Sequence, residues 1–201
     1  MILRSSPASP FGRKIKIAAA LLGLKDRIRI EMTDTLDPSD SIRLQNPLGK
    51  IPALLLDDGT VLFDSRVIAE YLDFIAGGGR IIPAGPERFA ALRLQALADG
   101  ITEAALLRVY EGRFRAPEKH EPKWVEHQSG KVSRGLASLE AGPLPGETAT
   151  PDIGAIALAC MLGYLDLRAP GWRPGHPKLA AWVDAFADAV PAFGETRPPQ
   201  S

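Results

Sequence analysis

The sequence has very little cysteine: Cys160 is the single one among 201 residues, so no disulfide can form within the chain. Thiols stay reduced in the cytoplasm, and a cytoplasmic protein is therefore expected. Long apolar runs are missing as well, since no stretch reaches the ~18 apolar residues that could span a bilayer. The opening residues, MILRSSPASP, also lack the apolar segment of a secretory signal peptide. A membrane is therefore not expected as a partner.

Net charge of either sign is absent too. Lys and Arg together number 24, and so do Asp and Glu, which gives a formal net charge of zero. A neutral chain has no electrostatic attraction to nucleic acid, which is therefore not expected as a partner. Histidine is scarce, and the pair His120 and His127 has no third ligand nearby, so no metal site is predicted. What remains is an ordinary globular composition, 45% hydrophobic and 24% charged, which excludes a disordered chain.

Residues 1–76 alternate short apolar runs with helical patterns in the order β-α-β-α-β-β-α. Residues 27–32 alternate charged and apolar side chains, which is typical of a half-buried strand. Asp58 and Gly59 separate the last two strands and are a strong hairpin signal. A crossover makes the first strand pair parallel, and the hairpin makes the last pair antiparallel, so a small mixed sheet covered by helices is expected. The predicted strands are 1–4, 27–32, 51–56 and 60–63, and the predicted helices are 10–22, 38–44 and 65–75.

A glycine-rich stretch, GGGRIIPAG at 77–85, is a linker by composition. It divides the chain into two predicted domains, residues 1–77 and 86–201. The strand signals stop after the linker, so the second half is expected to be all-helical, with a loose tail GETRPPQS. Thr150 is the expected N-cap of a third helix that is apolar almost all round and should be central and buried. The four predicted helices are 86–112, 120–141, one opening at Thr150 and Pro151, and 176–189.

Three short segments carry residues suited to chemistry. The first is Ser9, Pro10 and Phe11, at the turn between the first strand and the first helix. A serine followed by proline is a common N-cap, and that structural role is one interpretation. The other is that the Ser9 hydroxyl faces a cleft at the helix N-terminus, where donors and the helix dipole stabilise an anion. The sequence leaves both open.

The other two segments allow the same two kinds of interpretation. The segment NPLGKIP at 46–52 is either a simple turn into a strand or a place where Pro52 is cis. A cis proline there would leave the backbone of Ile51 able to pair with an extended peptide. The segment FDSR stands at the start of a helix, where Asp64 or Ser65 either caps the helix or, with the first N–H groups, binds a carboxylate.

Taken in order, SPF, NPLGKIP and FDSRVIAEYL, followed by a linker and a helical half, resemble the glutathione S-transferase family. The resemblance covers essentially the whole chain, including HPKLAAWVDAFADAVP near its end. NPLGKIP and the pattern DS-x-x-I-x-x-YL are specific to that family as a pair. The opening SPFGRK and the overall length are most similar to small bacterial members.

The resemblance implies a fold and an activity. The fold is a thioredoxin-like N-terminal domain, an α/β unit with a mixed four-stranded sheet, joined to an all-helical C-terminal domain. The activity is that of a glutathione transferase of the serine type, an enzyme of detoxification that uses glutathione as co-substrate and needs no metal. By position, Ser9 matches the residue that activates the thiol of glutathione. Glutathione itself is implied to lie against Lys50, Ile51, Pro52, Asp64 and Ser65, of which Pro52 matches the family's cis proline and the last two match the γ-glutamyl site.

The pocket for the electrophile is expected in the second half, where the stretch RVYEGRFRAPEKHEPK mixes aromatic residues and cations. The family places its electrophile pocket in the equivalent region. Tyr110, Arg113 and Phe114 are therefore assigned to that pocket, together with Phe11 from the first helix.

The sequence departs from other members of the family at the thiol-activating position. Ser6 and Pro7 stand where some members have an activating tyrosine, so a tyrosine mechanism is not expected. Ser9 stands where others have cysteine, so disulfide exchange is not expected either. Cys160 lies on an apolar helix face and is interpreted as a buried structural thiol.

The remaining predictions concern exposure, assembly and alternatives. Arg13, Lys14 and Lys16 are expected on the solvated face of the first helix, with Arg13 able to reach the cleft. The family usually forms twofold dimers, so a homodimer is expected, with Asp99 at a position suited to contact glutathione bound in the partner. The alternatives are a non-catalytic binding or stress-response protein of the same fold, and a glutathione-dependent isomerase or dehalogenase.

Overall fold

A mixed four-stranded sheet forms the N-terminal half in a computed structural model that describes residues 1–146 and 150–199. Its strands are β1 Ile2–Ser5, β2 Arg29–Met32, β3 Ala53–Leu55 and β4 Val61–Leu62. They lie in the order β2-β1-β3-β4, with β1 parallel to β2 and antiparallel to β3. β3 and β4 form the expected antiparallel hairpin, in which Gly59 adopts a positive φ of 88°. The predicted mixed sheet is confirmed.

Three helices complete this half: α1 Pro10–Leu21, α2 Ile42–Gln45 and α3 Ser65–Ile75. The observed order of strands and helices is the predicted one. Gly23 follows α1 with a φ of 73°, which suits a glycine just past a helix end. The thioredoxin-like architecture therefore follows from local patterns that the sequence already contains.

Strand β2 is more exposed than the predicted half-buried strand. Ile30 is 49% exposed and Met32 is 60% exposed. β2 lies at the edge of the sheet, with β1 as its one neighbour in the sheet. The alternating pattern identified the strand correctly, but the pattern does not reveal that its apolar side chains are only partly covered.

The prediction that α1 presents its cations to solvent is wrong. Arg13 is 3% exposed and Lys14 is 1% exposed, while Lys16 is half-buried. Helix α1 packs against α3 within its own half and also against helices of the second half, so it is covered on more than one face. The guanidinium of Arg13 lies 3.9 Å from the centre of the Phe193 ring and donates a hydrogen bond to the Phe193 carbonyl.

The C-terminal half is all-helical, as predicted. Its helices are α4 Glu87–Phe114, α5 Pro122–Ala141, α6 Ile153–Arg168, α7 Pro177–Ala189 and α8 Pro191–Glu195. Every residue from 153 to 162 is buried, and α6 packs against both α4 and α1, so the predicted central helix is confirmed. Helix α8 reaches two residues into the tail that is predicted to be loose. None of the helices in the described ranges is long and apolar enough to cross a membrane.

The N-cap of α6 is Asp152, and the prediction of Thr150 is wrong. The carboxylate of Asp152 accepts a hydrogen bond from the Ala155 N–H at 2.8 Å. Thr150 lies two residues before the cap, because the helix begins at Ile153. Both side chains are good caps, and the helix start decides which one is used.

The segment between the two halves is held by one buried carboxylate. Asp73, near the end of α3, accepts hydrogen bonds from the backbone N–H groups of Gly79, Arg80 and Ile81 at 2.8–3.0 Å. The Ile81 carbonyl in turn accepts from the Ile153 N–H at 2.7 Å, at the start of α6. The glycine-rich segment predicted to be a linker is thus fixed to both halves. This matters because the main cavity lies between the two halves.

Candidate functional site

A cavity of about 410 Å³ lies between the sheet half and the helical half. This volume is within the usual range for small-molecule sites. Its wall on the sheet side includes Ser9, Phe11, Lys50, Ile51, Pro52, Asp64 and Ser65, and its wall on the helical side includes Glu103, Leu106, Leu107, Tyr110, Arg113, Tyr164 and Arg168. A smaller cavity of about 280 Å³ beside β2 contains none of the predicted site residues. The structure therefore brings together nearly every residue that the sequence analysis assigned to the site.

Ser9 caps a helix and also lies at the cavity, so the two interpretations that the sequence left open are compatible. It is the N-cap of α1, and its Oγ accepts a hydrogen bond from the Gly12 N–H at 3.0 Å. It also lines the cavity. A hydroxyl accepts with its lone pairs and donates with its proton, so capping leaves the proton available for a partner in the cavity.

Gly12 is a residue that the sequence analysis missed. A Cβ at this position would clash with the Oγ of Ser5 and would lie 3.3 Å from the Oγ of Ser9. The absence of a side chain therefore allows the first turn of α1 to sit against the end of β1. The sequence does contain a signal, a glycine in the first turn of a predicted helix. Glycine lowers helix stability there and makes no side-chain contact in return.

The segment 46–52 is organised by Asn46, which is 2% exposed. Its side-chain amide donates to the Lys50 carbonyl at 2.9 Å, and its Oδ1 accepts from the Leu48 N–H at 3.0 Å. Gly49 adopts a φ of 61°, which closes the turn. The Ile51–Pro52 peptide bond is cis, as the resemblance implies. The turn and the cis proline present Lys50, Ile51 and Pro52 together along one wall of the cavity.

The start of α3 forms the adjoining wall. Asp64 is the N-cap, and its Oδ1 accepts from the Arg66 N–H at 2.8 Å. Ser65, the first residue of the helix, is 3% exposed. The capping interpretation and the binding interpretation are again compatible, because both residues also line the cavity.

Two helices therefore begin at this cavity, α1 after its N-cap Ser9 and α3 after its N-cap Asp64. A helix N-terminus carries a partial positive charge and N–H groups without helical partners, so it favours anions. The charged side chains of the lining are the cations Lys50, Arg113 and Arg168 and the carboxylates Asp64 and Glu103. The arrangement suits an anionic ligand that meets both helix starts.

The helical wall combines aromatic rings with guanidinium groups. The Arg113 guanidinium lies 5.4 Å from the centre of the Tyr110 ring. Tyr164 is 5% exposed, and burial raises the pKa of its hydroxyl. Phe114 is not part of the lining: it is 62% exposed and packs its ring edge-on against Tyr110 at 5.3 Å. Tyr110 and Arg113 line the cavity as expected.

Five lining residues on the helical side escaped the sequence analysis: Glu103, Leu106, Leu107, Tyr164 and Arg168. Tyr164 stands on a helix that is apolar almost all round, and that pattern indicates a core residue. No local pattern distinguishes a core tyrosine from one that reaches a cavity. Only the packing of α6 against α4 and α1 decides it.

Asp99 is occupied within its own chain, which corrects the expectation that it reaches glutathione in a partner. It is 4% exposed, and both of its carboxylate oxygens accept from the Lys14 ammonium at 2.8 Å. The Arg66 Nε donates to the same carboxylate at 3.0 Å. Arg66 follows Ser65, so the cluster ties the start of α3 to α4. Asp99 supports the cavity wall without lining it.

The remaining candidate groups fit structural roles. Cys160 is buried, and burial raises the pKa of its thiol to about 11, which keeps it protonated and unreactive at neutral pH. Among residues 1–146 and 150–199, no three His, Cys, Asp or Glu side chains come together as a metal-binding group.

Comparison with known proteins agrees with this geometry. A family model described as "Glutathione S-transferase, N-terminal domain" matches residues 8–74, and one described as "Glutathione S-transferase, C-terminal domain" matches residues 122–185. The chain is 34% identical to the uncharacterized GST-like protein YibF of Escherichia coli over the full length of both.

Solved structures give the same result at higher identity. A glutathione transferase family member from Pseudomonas fluorescens, with bound glutathione, is 45% identical, with a TM-score of 0.91 over 99% of each chain. A structure from the same organism with bound S-(propanoic acid)-glutathione is 46% identical, with a TM-score of 0.88 over the whole of both chains.

Proposed function

The chain belongs to the glutathione S-transferase family, and we propose that it is a glutathione transferase acting in the cavity between its two halves. The observation that carries this proposal is the position of Ser9. Its hydroxyl caps α1 through the Gly12 N–H at 3.0 Å and still has a proton to donate into a cavity of about 410 Å³. A thiolate in that cavity would meet a hydrogen-bond donor and a helix N-terminus at once.

Glutathione is proposed to lie along the sheet side of the cavity. Its peptide backbone runs past Lys50, Ile51 and the cis Pro52, and its γ-glutamyl carboxylate binds at Ser65 beside the N-terminus of α3. Asp64 is suited to the γ-glutamyl ammonium group. The glutathione seen in the related Pseudomonas structure supports a tripeptide site in this fold. The two domains, residues 1–77 and 86–201, then contribute glutathione binding and the electrophile pocket respectively.

The chemistry follows from the pKa of the glutathione thiol. An ordinary thiol has a pKa near ~8.5, so only a few per cent is thiolate at neutral pH. A hydrogen bond from Ser9 stabilises the thiolate, and each unit by which the pKa falls corresponds to about 1.36 kcal/mol. The thiol proton passes to water, and the sulfur attacks the electrophilic carbon. A carbon–sulfur bond forms while the bond to the leaving group breaks, and the leaving group departs with that electron pair.

The electrophile is proposed to bind between Phe11 on the sheet side of the cavity and Tyr110 and Arg113 on the helical wall. Phe114 contributes by supporting the Tyr110 ring, which it contacts edge-on. We place the reaction in the cytoplasm, where free thiols persist, and assign it to detoxification.

The active form is proposed to be a homodimer. Two large apolar side chains, Phe74 on α3 and Phe89 on α4, are 75% and 73% exposed. The ion pair between Glu70 and Arg88 at 3.2 Å shows that these two helices are neighbours. Exposed apolar residues on adjacent helices are typical of an interface, and a twofold axis would bury both rings in each subunit.

A calorimetric titration of the whole chain with glutathione tests the proposal, with oxidised glutathione and an S-methyl analogue measured beside it. We expect saturable binding of glutathione at sub-millimolar to millimolar concentration. A screen of aryl and alkyl halides then measures turnover above the uncatalysed rate. Product analysis separates conjugation from isomerisation and dehalogenation. No binding of any of the three ligands would contradict the proposal and favour a non-catalytic protein of the same fold.

A further inference from the structure

Two arginines line the helical side of the cavity, each near the C-terminal end of a different helix. Arg113 is in the last turn of α4 and Arg168 is the last residue of α6. Within residues 1–146 and 150–199, neither forms an ion pair with a carboxylate, whereas the nearby Arg115 pairs with Glu111 at 3.0 Å. Cations near a helix C-terminus are favourable in themselves, which accounts for each arginine on its own helix. Helix stability does not require both of them to reach one cavity.

The surroundings of these arginines resemble a site for a small anion with an apolar body. The Tyr110 ring lies under the Arg113 guanidinium at 5.4 Å. Leu106, Leu107 and the ring of Tyr164 provide apolar surface in the same lining. A guanidinium binds a carboxylate with two parallel hydrogen bonds, and this geometry is more selective than a point charge.

We propose that the electrophile of this transferase carries a carboxylate, and that Arg113 and Arg168 bind it. This inference rests on the proposed function, in which the carboxylates of glutathione lie on the sheet side of the cavity with Lys50 and the start of α3. The arginines on the opposite wall are left for the second substrate. They would hold its acidic end while its reactive carbon faces the sulfur near Ser9. The bonds made and broken are those already described.

Binding of three glutathione thioethers separates this inference from the proposed function. The probes are S-propylglutathione, S-(2-carboxyethyl)glutathione and S-(2-carbamoylethyl)glutathione, titrated into the whole chain by calorimetry. The last two are of nearly equal size and differ in charge. Hydrogen bonds to charged groups contribute enough that the carboxylate should bind about 10- to 100-fold more tightly than the amide.

Two variants assign the effect to the arginines. Arg113→Gln and Arg168→Gln should each reduce the preference for the carboxylate over the amide about tenfold or more. Arg134→Gln is the matched control, because Arg134 is an exposed arginine on α5 outside the cavity lining, and it should keep the full preference.

Each other result overturns the inference in a recognisable way. Equal affinity for the carboxylate and the amide, with S-propylglutathione still bound, contradicts the carboxylate site and leaves the transferase proposal standing. A loss of affinity for all three thioethers in both arginine variants would mean that the arginines bind glutathione itself. Failure of the wild-type chain to bind any of the three contradicts the proposed function and this inference together.

Discussion

The ammonium group of Lys14 lies 2.8 Å from both carboxylate oxygens of Asp99, which joins α1 of the sheet half to α4 of the helical half. Both side chains are almost completely buried. Arg66, half-exposed, adds a second cation to the same carboxylate. The pair therefore fixes the two walls of the cavity relative to each other. Removing one partner leaves an uncompensated charge in the interior.

Asp99→Asn is expected to lower the free energy of unfolding by about 3–5 kcal/mol, as is usual when one partner of a buried ion pair is removed. Urea unfolding followed by circular dichroism measures this. Lys25→Ala is the matched control, because Lys25 forms an equally short pair with Glu195 at 2.7 Å but on the surface, with 66% and 54% exposure. An exposed pair of this kind contributes at most about 1 kcal/mol.

The double variant Lys14→Met, Asp99→Leu sharpens this test. Replacing both charges by apolar side chains removes the buried unpaired group, so the double variant should be more stable than Asp99→Asn alone. If Asp99→Asn unfolds like the wild type, the pair does not hold the two halves together, and the geometric account of the cavity walls is wrong.

Ser9→Ala is expected to lower kcat/KM by about 10- to 1000-fold, since one donor to the sulfur anion is lost. It should also lower the free energy of unfolding by about 1 kcal/mol, because Ser9 caps α1. Kinetics with glutathione and a reactive aryl halide, beside thermal unfolding, measure both effects.

Two further substitutions at Ser9 separate the two roles. Ser9→Thr keeps the hydroxyl and should keep most of the activity. Ser9→Asp keeps a good N-cap but has no proton to donate at neutral pH, so it should retain stability while losing activity. Full activity in Ser9→Ala would mean that the residue is a cap and nothing more.

Ser65→Ala is expected to weaken glutathione binding about 10- to 100-fold, because a hydrogen bond to a charged group is lost in a buried position. Calorimetry measures the affinity directly. Ser133→Ala, an exposed serine on α5, is the control and should bind like the wild type. Equal affinity in Ser65→Ala and the control would remove Ser65 from the site.

Because the thiol of Cys160 is buried, we expect the protein to lose stability in alkaline solution. Burial raises the pKa of its thiol from 9.0 to about 11, so the folded chain keeps the proton after the unfolded chain has released it. Below pH 9 the thiol is protonated in both states and the chain keeps its full stability. As the pH rises from 9 to 11, this group lowers the free energy of unfolding by about 1.4 kcal/mol per pH unit.

Urea unfolding of the wild type and Cys160→Ala across this pH range isolates the effect of the thiol. The wild type should lose stability more steeply between pH 9 and 11, although the variant starts lower because of the cavity it creates. Parallel curves for the two proteins would contradict burial of the thiol. Alkylation of Cys160 in the native protein at neutral pH would do the same.

Phe74→Glu is expected to shift a homodimer to monomers, because it places a charge in the centre of an apolar interface. Sedimentation velocity measures the mass. Leu44→Glu, on the short helix α2, is the control, since Leu44 is also exposed, at 91%, but lies outside the proposed interface. A monomeric wild type would refute the dimer.

Much of the fold could be predicted because its signals are local. Ser9 before Pro10, Asp64 before Ser65 and the glycine of the hairpin mark element ends within a few residues, where backbone geometry decides the outcome. The family resemblance of the three short segments also predicted which residues line the sheet side of the cavity. Those residues are placed by turns and helix starts, so their neighbours in sequence are also their neighbours in space.

The helical side of the cavity was predictable only in part, because its residues meet through packing. Tyr110 and Arg113 lie in one stretch that mixes aromatic residues with cations, which predicts a pocket, whereas Tyr164 and Arg168 lie on a helix whose apolar pattern indicates core. Periodicity shows that a residue is buried or exposed, but not which distant surface it meets.

The sequence by itself thus determined the order of the elements, the two helix starts that favour an anion and the segment that contains the cis proline, since each depends on contacts within a few residues. Tertiary structure alone decided that α1 is covered on more than one face, that Lys14 finds Asp99, and that Arg113 and Arg168 share a cavity. These relationships join residues far apart in the chain, and only the packed fold brings such side chains within reach of each other.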